Sequence, residues 1–116
     1  MERVSDQPDY GADIRRSGER TVVALTGEVD LATADDMAAT LRAELAVAPV
    51  VLDLRELTFM DSSGVRVLDA LLRDIDREGW QLRIDRRLTP VVENVLSITG
   101  MISILPFENP EPEETS

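Results

Sequence analysis

One short segment of the chain gathers the side chains that are best suited to chemistry. Residues 61–64 read Asp-Ser-Ser-Gly and follow an apolar run, Val50–Leu54, with residues 55–60 between them. The pattern predicts a buried strand, a crossing loop, and a helix whose first turn carries two hydroxyls beside a carboxylate. Serine and aspartate are common at helix starts, because their oxygens accept hydrogen bonds from free backbone N–H groups.

A second acidic segment, Glu28-Val29-Asp30, follows another predicted strand at residues 21–26. In open α/β sheets, functional groups collect at the carboxyl ends of the strands. If the two strands are neighbours, Asp30 and Asp61 would flank the same serine.

The residues alone leave three interpretations open. In the structural one, Ser62 or Ser63 caps the helix, Gly64 allows close packing, and Asp30 is a loop residue. In the second, Asp30 and Asp61 act as acid and base of an enzyme, which needs environments that separate their pKa values. In the third, a serine accepts a phosphate, which the N–H groups and dipole of a helix start would stabilise. The added charge of about −1.5 to −2 would then repel a partner from an acidic surface.

Missing residue types exclude most catalytic chemistry. The chain has no His and no Cys, and all 12 basic residues are Arg. Serine–histidine and cysteine–histidine catalysis, thiolate or imidazole metal sites, disulfides, P-loop lysines and Schiff bases are therefore excluded. We expect a binding protein that is not an enzyme and that holds no cofactor or metal.

Composition and charge restrict the partners. The 116 residues are 43% hydrophobic and 3% aromatic, which predicts one domain with an aliphatic core. The net charge of −11, with dispersed arginines, argues against direct binding to nucleic acid or an anionic membrane and favours a basic protein surface. Because residues 1–6 lack an apolar signal and no apolar run reaches about 18 residues, we expect a soluble cytoplasmic protein.

Hydrophobic periodicity predicts an α/β domain with the order ββαβαβαβ. The sheet would be mixed but mostly parallel, with about five strands, an antiparallel N-terminal hairpin and right-handed crossovers. The predicted strands are residues 13–17, 21–26, 50–54, 80–84 and 101–105. The predicted helices follow Thr33 to about residue 46, Asp61 to Gly79, and Thr89-Pro90 to Gly100.

The ends of the chain differ in composition from the middle. Residues 1–11 are polar and predict a flexible lead, and residues 12–106 contain the domain. Residues 107–116 are rich in Glu and Pro and predict an acidic, disordered tail.

Three segments together resemble a known family. They are Thr26–Asp30 ahead of a helix, the strand Val51–Leu54, and Phe59–Val65 with its Phe-Met-Asp-Ser-Ser-Gly-Val motif. They are similar to the bacterial anti-sigma-factor antagonists, the STAS domain family, over roughly residues 12–106. The resemblance implies a STAS-like fold.

The resemblance also implies a partner-switching function in sigma-dependent transcription, as in stress responses and sporulation. The unphosphorylated protein would bind an anti-sigma factor that is also a serine kinase and so free a sigma factor. The kinase, which alone carries ATP, would phosphorylate the antagonist and release it, and a serine phosphatase would restore it. The protein itself would be a monomer or a weak dimer.

Site residues follow from the same motif. The phosphoacceptor matches Ser62, whereas chemistry alone does not choose between Ser62 and Ser63; the family accepts Ser or Thr at the position of Ser63. Asp30 and Asp61 match acidic residues that would orient the hydroxyl or contact the kinase. The expected partner-binding residues are Glu28, Asp30, Asp61, Ser62, Ser63, Gly64 and Arg66.

Arg66 departs from the family pattern, because many relatives have a small residue after the apolar residue that follows Gly. An exposed Arg66 would select a particular partner, pair with a phosphate on Ser62, or simply be solvated.

The alternative function is that of a STAS subunit in a lipid-transport or stress-sensing assembly, where the serine is a contact or a cap without a phosphorylation switch.

Overall fold

A five-stranded sheet forms the centre of the molecule, and its strands lie in chain order. The computed structural model describes residues 10–110. β1 pairs with β2 antiparallel, and all other neighbours are parallel, which confirms the predicted α/β class and hairpin. The elements are β1 Tyr10–Ser17, β2 Arg20–Val29, α1 Ala34–Leu45, β3 Val50–Met60, α2 Ser62–Glu78, β4 Leu82–Asp85, α3 Pro90–Ile98, a 3-10 turn Met101–Ser103, and β5 Phe107–Glu108.

The three helices pack on one face of this sheet. Each parallel crossover moves one strand further in the same direction, so right-handed connections place all three helices on the same side. Val23, Leu52 and Ile84 lie side by side on neighbouring strands and are fully buried beneath the helices. Helix α1 adds Met37 and Leu41 to this aliphatic core.

Helix ends follow the predicted signals closely. α2 ends at Gly79, whose φ of 75° is the left-handed conformation expected at that position. α3 begins with Thr89 at the N-cap and Pro90 in its first turn. These two ends therefore agree with the helix limits that the sequence predicts.

Strand β3 is longer than predicted. Residues 55–60 continue the strand to Met60 instead of forming a crossing loop, and Glu28 and Val29 belong to β2 instead of a loop. Two register shifts between β2 and β3 disturb the alternation of buried and exposed residues. Charged Arg55 and Glu56 therefore interrupt the apolar pattern although the backbone pairing continues.

The last strand lies later in the chain than the sequence predicts. Residues 101–105 form a 3-10 turn that buries Met101 and Leu105, and the strand is Phe107–Glu108 beside β4. The sheet therefore extends into the segment that was predicted to be tail, and Nη1 of Arg20 donates to Oε1 of Glu108 at 3.1 Å. At the other end, β1 begins at Tyr10, within the predicted lead. The rest of that lead and tail, residues 1–9 and 111–116, lies outside the described residues.

Two aspartate–arginine pairs lie at similar positions on β3 and β4. Asp85 is buried, and its carboxylate accepts from Nε of Arg87 at 2.9 Å and from Nη2 at 2.6 Å. These hydrogen bonds lower the pKa of Asp85. For Asp53, burial raises the pKa, but hydrogen bonds from the side chain and backbone of Arg55 leave it below the usual value.

These pairs predict a loss of stability in acid. A carboxyl whose pKa is depressed in the folded state stabilises the fold above its unfolded pKa of about 3.9, and this contribution is lost as the pH falls through the folded pKa. We expect the free energy of unfolding to decrease below about pH 4, and the decrease to be smaller in Asp85→Asn. Denaturant unfolding measured from pH 7 downward tests this, with Asp76→Asn, at an exposed position of α2, as the control. An unchanged pH dependence in Asp85→Asn would contradict the assignment.

Candidate functional site

The two acidic segments meet at the carboxyl edge of the sheet. β2 and β3 are parallel neighbours, with Val29 opposite Met60. The backbone N–H of Asp61 donates to the carbonyl of Val29 at 3.1 Å. Asp30 and Asp61 thus follow adjacent strand ends, which confirms that their strands are neighbours.

Asp61 is the residue that caps helix α2. Its backbone is extended, and its Oδ1 accepts from the N–H of Ser63 at 2.8 Å. The structural interpretation, in which Ser62 or Ser63 provides the cap, is therefore wrong in its choice of residue. A carboxylate is the stronger acceptor at this position, because it is charged and lies at the positive end of the helix dipole.

Capping by Asp61 leaves both serine hydroxyls available. Ser62 is the first residue of α2 and is exposed, whereas Ser63 is half-buried. Neither hydroxyl has a hydrogen-bond partner among residues 10–110. Ser62 therefore presents, at a helix start, an exposed hydroxyl that is not bonded to any part of the chain that the structure describes.

Asp30 holds the neighbouring loop in shape. Its Oδ1 accepts from the backbone N–H groups of Ala32, at 3.0 Å, and Thr33, at 3.2 Å. The Thr33 hydroxyl donates to the carbonyl of Glu28 at 2.9 Å and accepts from the N–H of Asp30 at 3.0 Å. Thr33 stands at the predicted N-cap position of α1, but its hydroxyl closes the loop and does not cap the helix.

The two aspartates do not contact the proposed phosphorylation site directly. Within residues 10–110, no hydrogen bond links Asp30 or Asp61 to the Ser62 hydroxyl. Asp61 positions the serines through the backbone, and Asp30 shapes the adjacent loop. Glu28 is exposed on β2, opposite Phe59, and adds a third carboxylate to this edge.

Gly64 brings α2 close to the strand ends. A Cβ at this position would lie 2.7 Å from Cγ of Met60 and 2.9 Å from Cγ1 of Val29, both closer than ordinary contacts. The absence of a side chain thus fixes how deeply the first turn of α2, with both serines, sits on the sheet.

Arg66 is exposed and makes no ion pair with residues 10–110. It lines a groove of about 300 Å³ between α1 and α2. Neither Asp30 nor Asp61 lines this groove, so it does not hold the paired carboxylates that an acid–base enzyme would need. The lining residues are Leu31, Ala34, Asp35, Ala38, Arg42, Ser63, Arg66, Val67 and Ala70.

Two apolar side chains at this edge were not predicted as site residues. Leu31 is 79% exposed directly after Asp30, and Phe59 is 40% exposed two residues before Asp61. Exposed apolar groups beside polar ones are typical of protein-binding surfaces. Leu31 could have been recognised as an apolar residue outside the stripe of α1, whereas the exposure of Phe59 depends on the unpredicted extension of β3.

Residues 10–110 contain no group of three or more His, Cys, Asp or Glu side chains arranged to hold a metal ion. Within the same range, no helix has both the length and the apolar character needed to cross a membrane.

Sequence comparisons match this chain to one family of proteins. A family model described as "Mlab, STAS domain" matches residues 12–106. The anti-sigma F factor antagonist of Paenibacillus polymyxa is 29% identical over 93 residues, covering 78% of this chain and 79% of that protein. BtrV of Bordetella bronchiseptica, provisionally named an anti-sigma factor antagonist, is 32% identical over 90 residues, covering 76% and 77%.

Solved structures share the fold. An anti-sigma factor antagonist from Mycobacterium paratuberculosis superposes with a TM-score of 0.76 at 24% identity, covering 93% of this chain and 92% of that one. SpoIIAA in its unphosphorylated form gives a TM-score of 0.68 at 19% identity, covering 87% and 89%. The chain therefore belongs to the STAS domain family, and the two relatives above carry the name of anti-sigma-factor antagonists.

Proposed function

We propose that this protein is an anti-sigma-factor antagonist that is switched by phosphorylation of Ser62. In its unphosphorylated form it binds an anti-sigma factor with serine kinase activity and so frees a sigma factor in the cytoplasm. The kinase supplies the ATP, and a serine phosphatase reverses the modification. The chain itself acts as a binding protein without a cofactor. The observation that carries this proposal is the exposed Ser62 hydroxyl, which bonds to none of residues 10–110 because Asp61 caps the helix in its place.

The position of Ser62 allows modification without unfolding. As the first residue of α2, it lies outside the core, and the apolar face of the helix begins at buried Gly64 and Leu68. A phosphate there would lie near the positive end of the helix dipole. The fold can thus persist while the charge of the surface changes.

The surroundings of Ser62 fit a protein partner. Leu31 and Phe59 offer apolar contact area, while Glu28, Asp30 and Asp61 make the same edge acidic. A partner with a complementary basic surface would be attracted electrostatically. Phosphate adds about −1.5 to −2 charge directly within this surface, and desolvating that extra charge against the partner weakens the complex.

A second candidate is a STAS subunit of a lipid-transport or stress-sensing assembly. The description of the matching family model, which names Mlab and not an antagonist, keeps this candidate open. The same exposed Leu31 and Phe59 would then form a permanent contact, and Ser62 would not be phosphorylated and dephosphorylated in turn.

Intact mass spectrometry separates the two candidates. The full chain is incubated with each candidate kinase and Mg-ATP, after its binding to that kinase has been measured without nucleotide. We expect the mass of a single phosphate to be gained, with peptide mapping to Ser62, and the modified protein to lose its affinity for the kinase. A partner that binds the chain tightly through this edge but adds no phosphate would contradict the switch and favour the permanent subunit.

A further inference from the structure

Strand β1 forms an uncovered edge of the sheet. It is eight residues long and, among the strands within residues 10–110, pairs only with β2, on one side. Residues 12–17 are exposed, and no strand within residues 10–110 pairs with the outer side of β1. Edges of this length are sites at which a second chain can add to a sheet.

The hydrogen bonds of β2 show which backbone groups of β1 point away from the sheet. The N–H of Thr21 donates to the carbonyl of Pro49 at 2.8 Å, on the side of β2 away from β1. Arg16, which lies opposite Thr21, is therefore in a non-hydrogen-bonded pair. Since the pattern alternates along an antiparallel pair, Arg16, Ile14 and Ala12 direct their N–H and C=O groups outward.

The charges on β1 are self-complementary in one register. Asp13 and Arg15 lie on the same face of the strand, and neither makes an ion pair with another residue in 10–110. If two copies pair antiparallel with Ile14 opposite Ile14, each Asp13 lies opposite Arg15 of the second copy. A shift by two residues sets Arg15 against Arg15 or Asp13 against Asp13, which is unfavourable.

We propose that β1 pairs with β1 of a second copy of this chain in that register, which joins two sheets into a symmetric dimer. The outward N–H and C=O groups of residues 12, 14 and 16 then form hydrogen bonds across the two-fold axis. The two Ile14 side chains, each 44% exposed, contact one another. A single strand edge buries less than the ~800 Å² per partner of stable complexes, so we expect a dissociation constant on the order of 10–100 μM. The inference does not depend on the function proposed for Ser62.

Sedimentation velocity over a concentration series tests the dimer. We expect wild type to shift from monomer to dimer, and Arg15→Glu, which sets Asp13 against Glu, to raise the dissociation constant at least about tenfold. Arg83→Glu is the matched control, because Arg83 is also exposed, lies on β4 away from this edge, and makes no ion pair with residues 10–110. It should dimerise like wild type.

Two further variants test the register and the backbone pairing. The double variant Asp13→Arg/Arg15→Asp should dimerise with itself but not with wild type, because only the self-pairing restores opposite charges. Ala12→Pro removes an outward N–H while it leaves the pairing with β2 intact, and should weaken the dimer. A wild type that remains monomeric at about 500 μM overturns the proposal. Equal effects of Arg15→Glu and Arg83→Glu, or a folded double variant that fails to self-associate, overturn it as well.

Discussion

Ser62→Ala is expected to lose phosphate incorporation from ATP completely when the chain is incubated with its kinase. The substitution removes the proposed acceptor oxygen and leaves its neighbours in place, because the Ser62 hydroxyl bonds to no other residue in 10–110. The cap of α2 is provided by Asp61, so helix stability should change by no more than about 0.5 kcal/mol. Intact mass and thermal unfolding of the same sample measure both effects.

Ser63→Ala is the matched control for this experiment. Ser63 is the next residue, is less exposed, and donates its backbone N–H to Asp61, which alanine retains. We expect phosphate incorporation to continue in this variant. If Ser62→Ala is phosphorylated to the same extent as wild type, or if only Ser63→Ala loses phosphorylation, the assignment of the acceptor is wrong.

A charged residue at the same position tests the electrostatic step. In Ser62→Asp, a carboxylate joins Glu28, Asp30 and Asp61 at the edge of the sheet, and we expect affinity for the kinase to fall by about tenfold or more. Because a carboxylate carries less charge than phosphate, the fall should be smaller than that caused by phosphorylation itself. Equal affinity of Ser62→Asp and wild type would argue against release by charge.

Local patterns predict most of the fold because each marks a particular physical requirement. The glycine at the end of α2 must adopt positive φ, and Thr89-Pro90 suits a helix start, so both ends are visible in the sequence. Alternating helices and strands then require a mostly parallel sheet. The order of elements follows from this, whereas the placement of Asp30 and Asp61 at neighbouring strand ends depends in addition on the pairing of β2 with β3, which the structure shows.

What local patterns do not show is how far two strands remain paired. β3 continues through Arg55 and Glu56 because β2 pairs beside it, with register shifts that disturb the alternation. In the same way, residues 101–105 are apolar enough for a strand, but Met101 and Leu105 are buried from a 3-10 turn. Both errors concern contacts between segments far apart in the chain.

The sequence indicated which segments would lie at this edge of the sheet if their strands were neighbours, but not which residue caps α2. Asp61, Ser62 and Ser63 are all good caps, and only the extended backbone at Asp61 decides which of them accepts the hydrogen bond. The exposure of Phe59 depends on the extension of β3, which the local pattern does not show, whereas Leu31 was recognisable as an apolar residue outside the stripe of α1. The motif thus indicates which segments to compare, whereas the fold determines which of their side chains are exposed.

Gly64→Ala is expected to destabilise the protein although alanine is the better helix former. In an exposed helix, this substitution would stabilise by up to about 1 kcal/mol. Here the new methyl group would lie 2.7 Å from Cγ of Met60 and 2.9 Å from Cγ1 of Val29, at the buried ends of β3 and β2. Because Val29 is β-branched and fully buried, it has little freedom to move aside, and overpacking of this kind costs about 1–3 kcal/mol.

The same steric clash would also change the position of the two serines. If α2 moves outward to admit the methyl group, Ser62 and Ser63 move with it, away from the loop that Asp30 shapes. We therefore expect Gly64→Ala to lower the free energy of unfolding by about 1–3 kcal/mol in denaturant titrations and also to slow phosphorylation of Ser62.

The double variant Gly64→Ala/Met60→Ala separates packing from helix propensity, because removing the Met60 side chain makes room at the shorter contact. The cost of the added methyl group, measured as Gly64→Ala in the Met60→Ala background, should be smaller there than in wild type. An unchanged cost would show that the close approach of α2 to the strand ends is not what requires glycine.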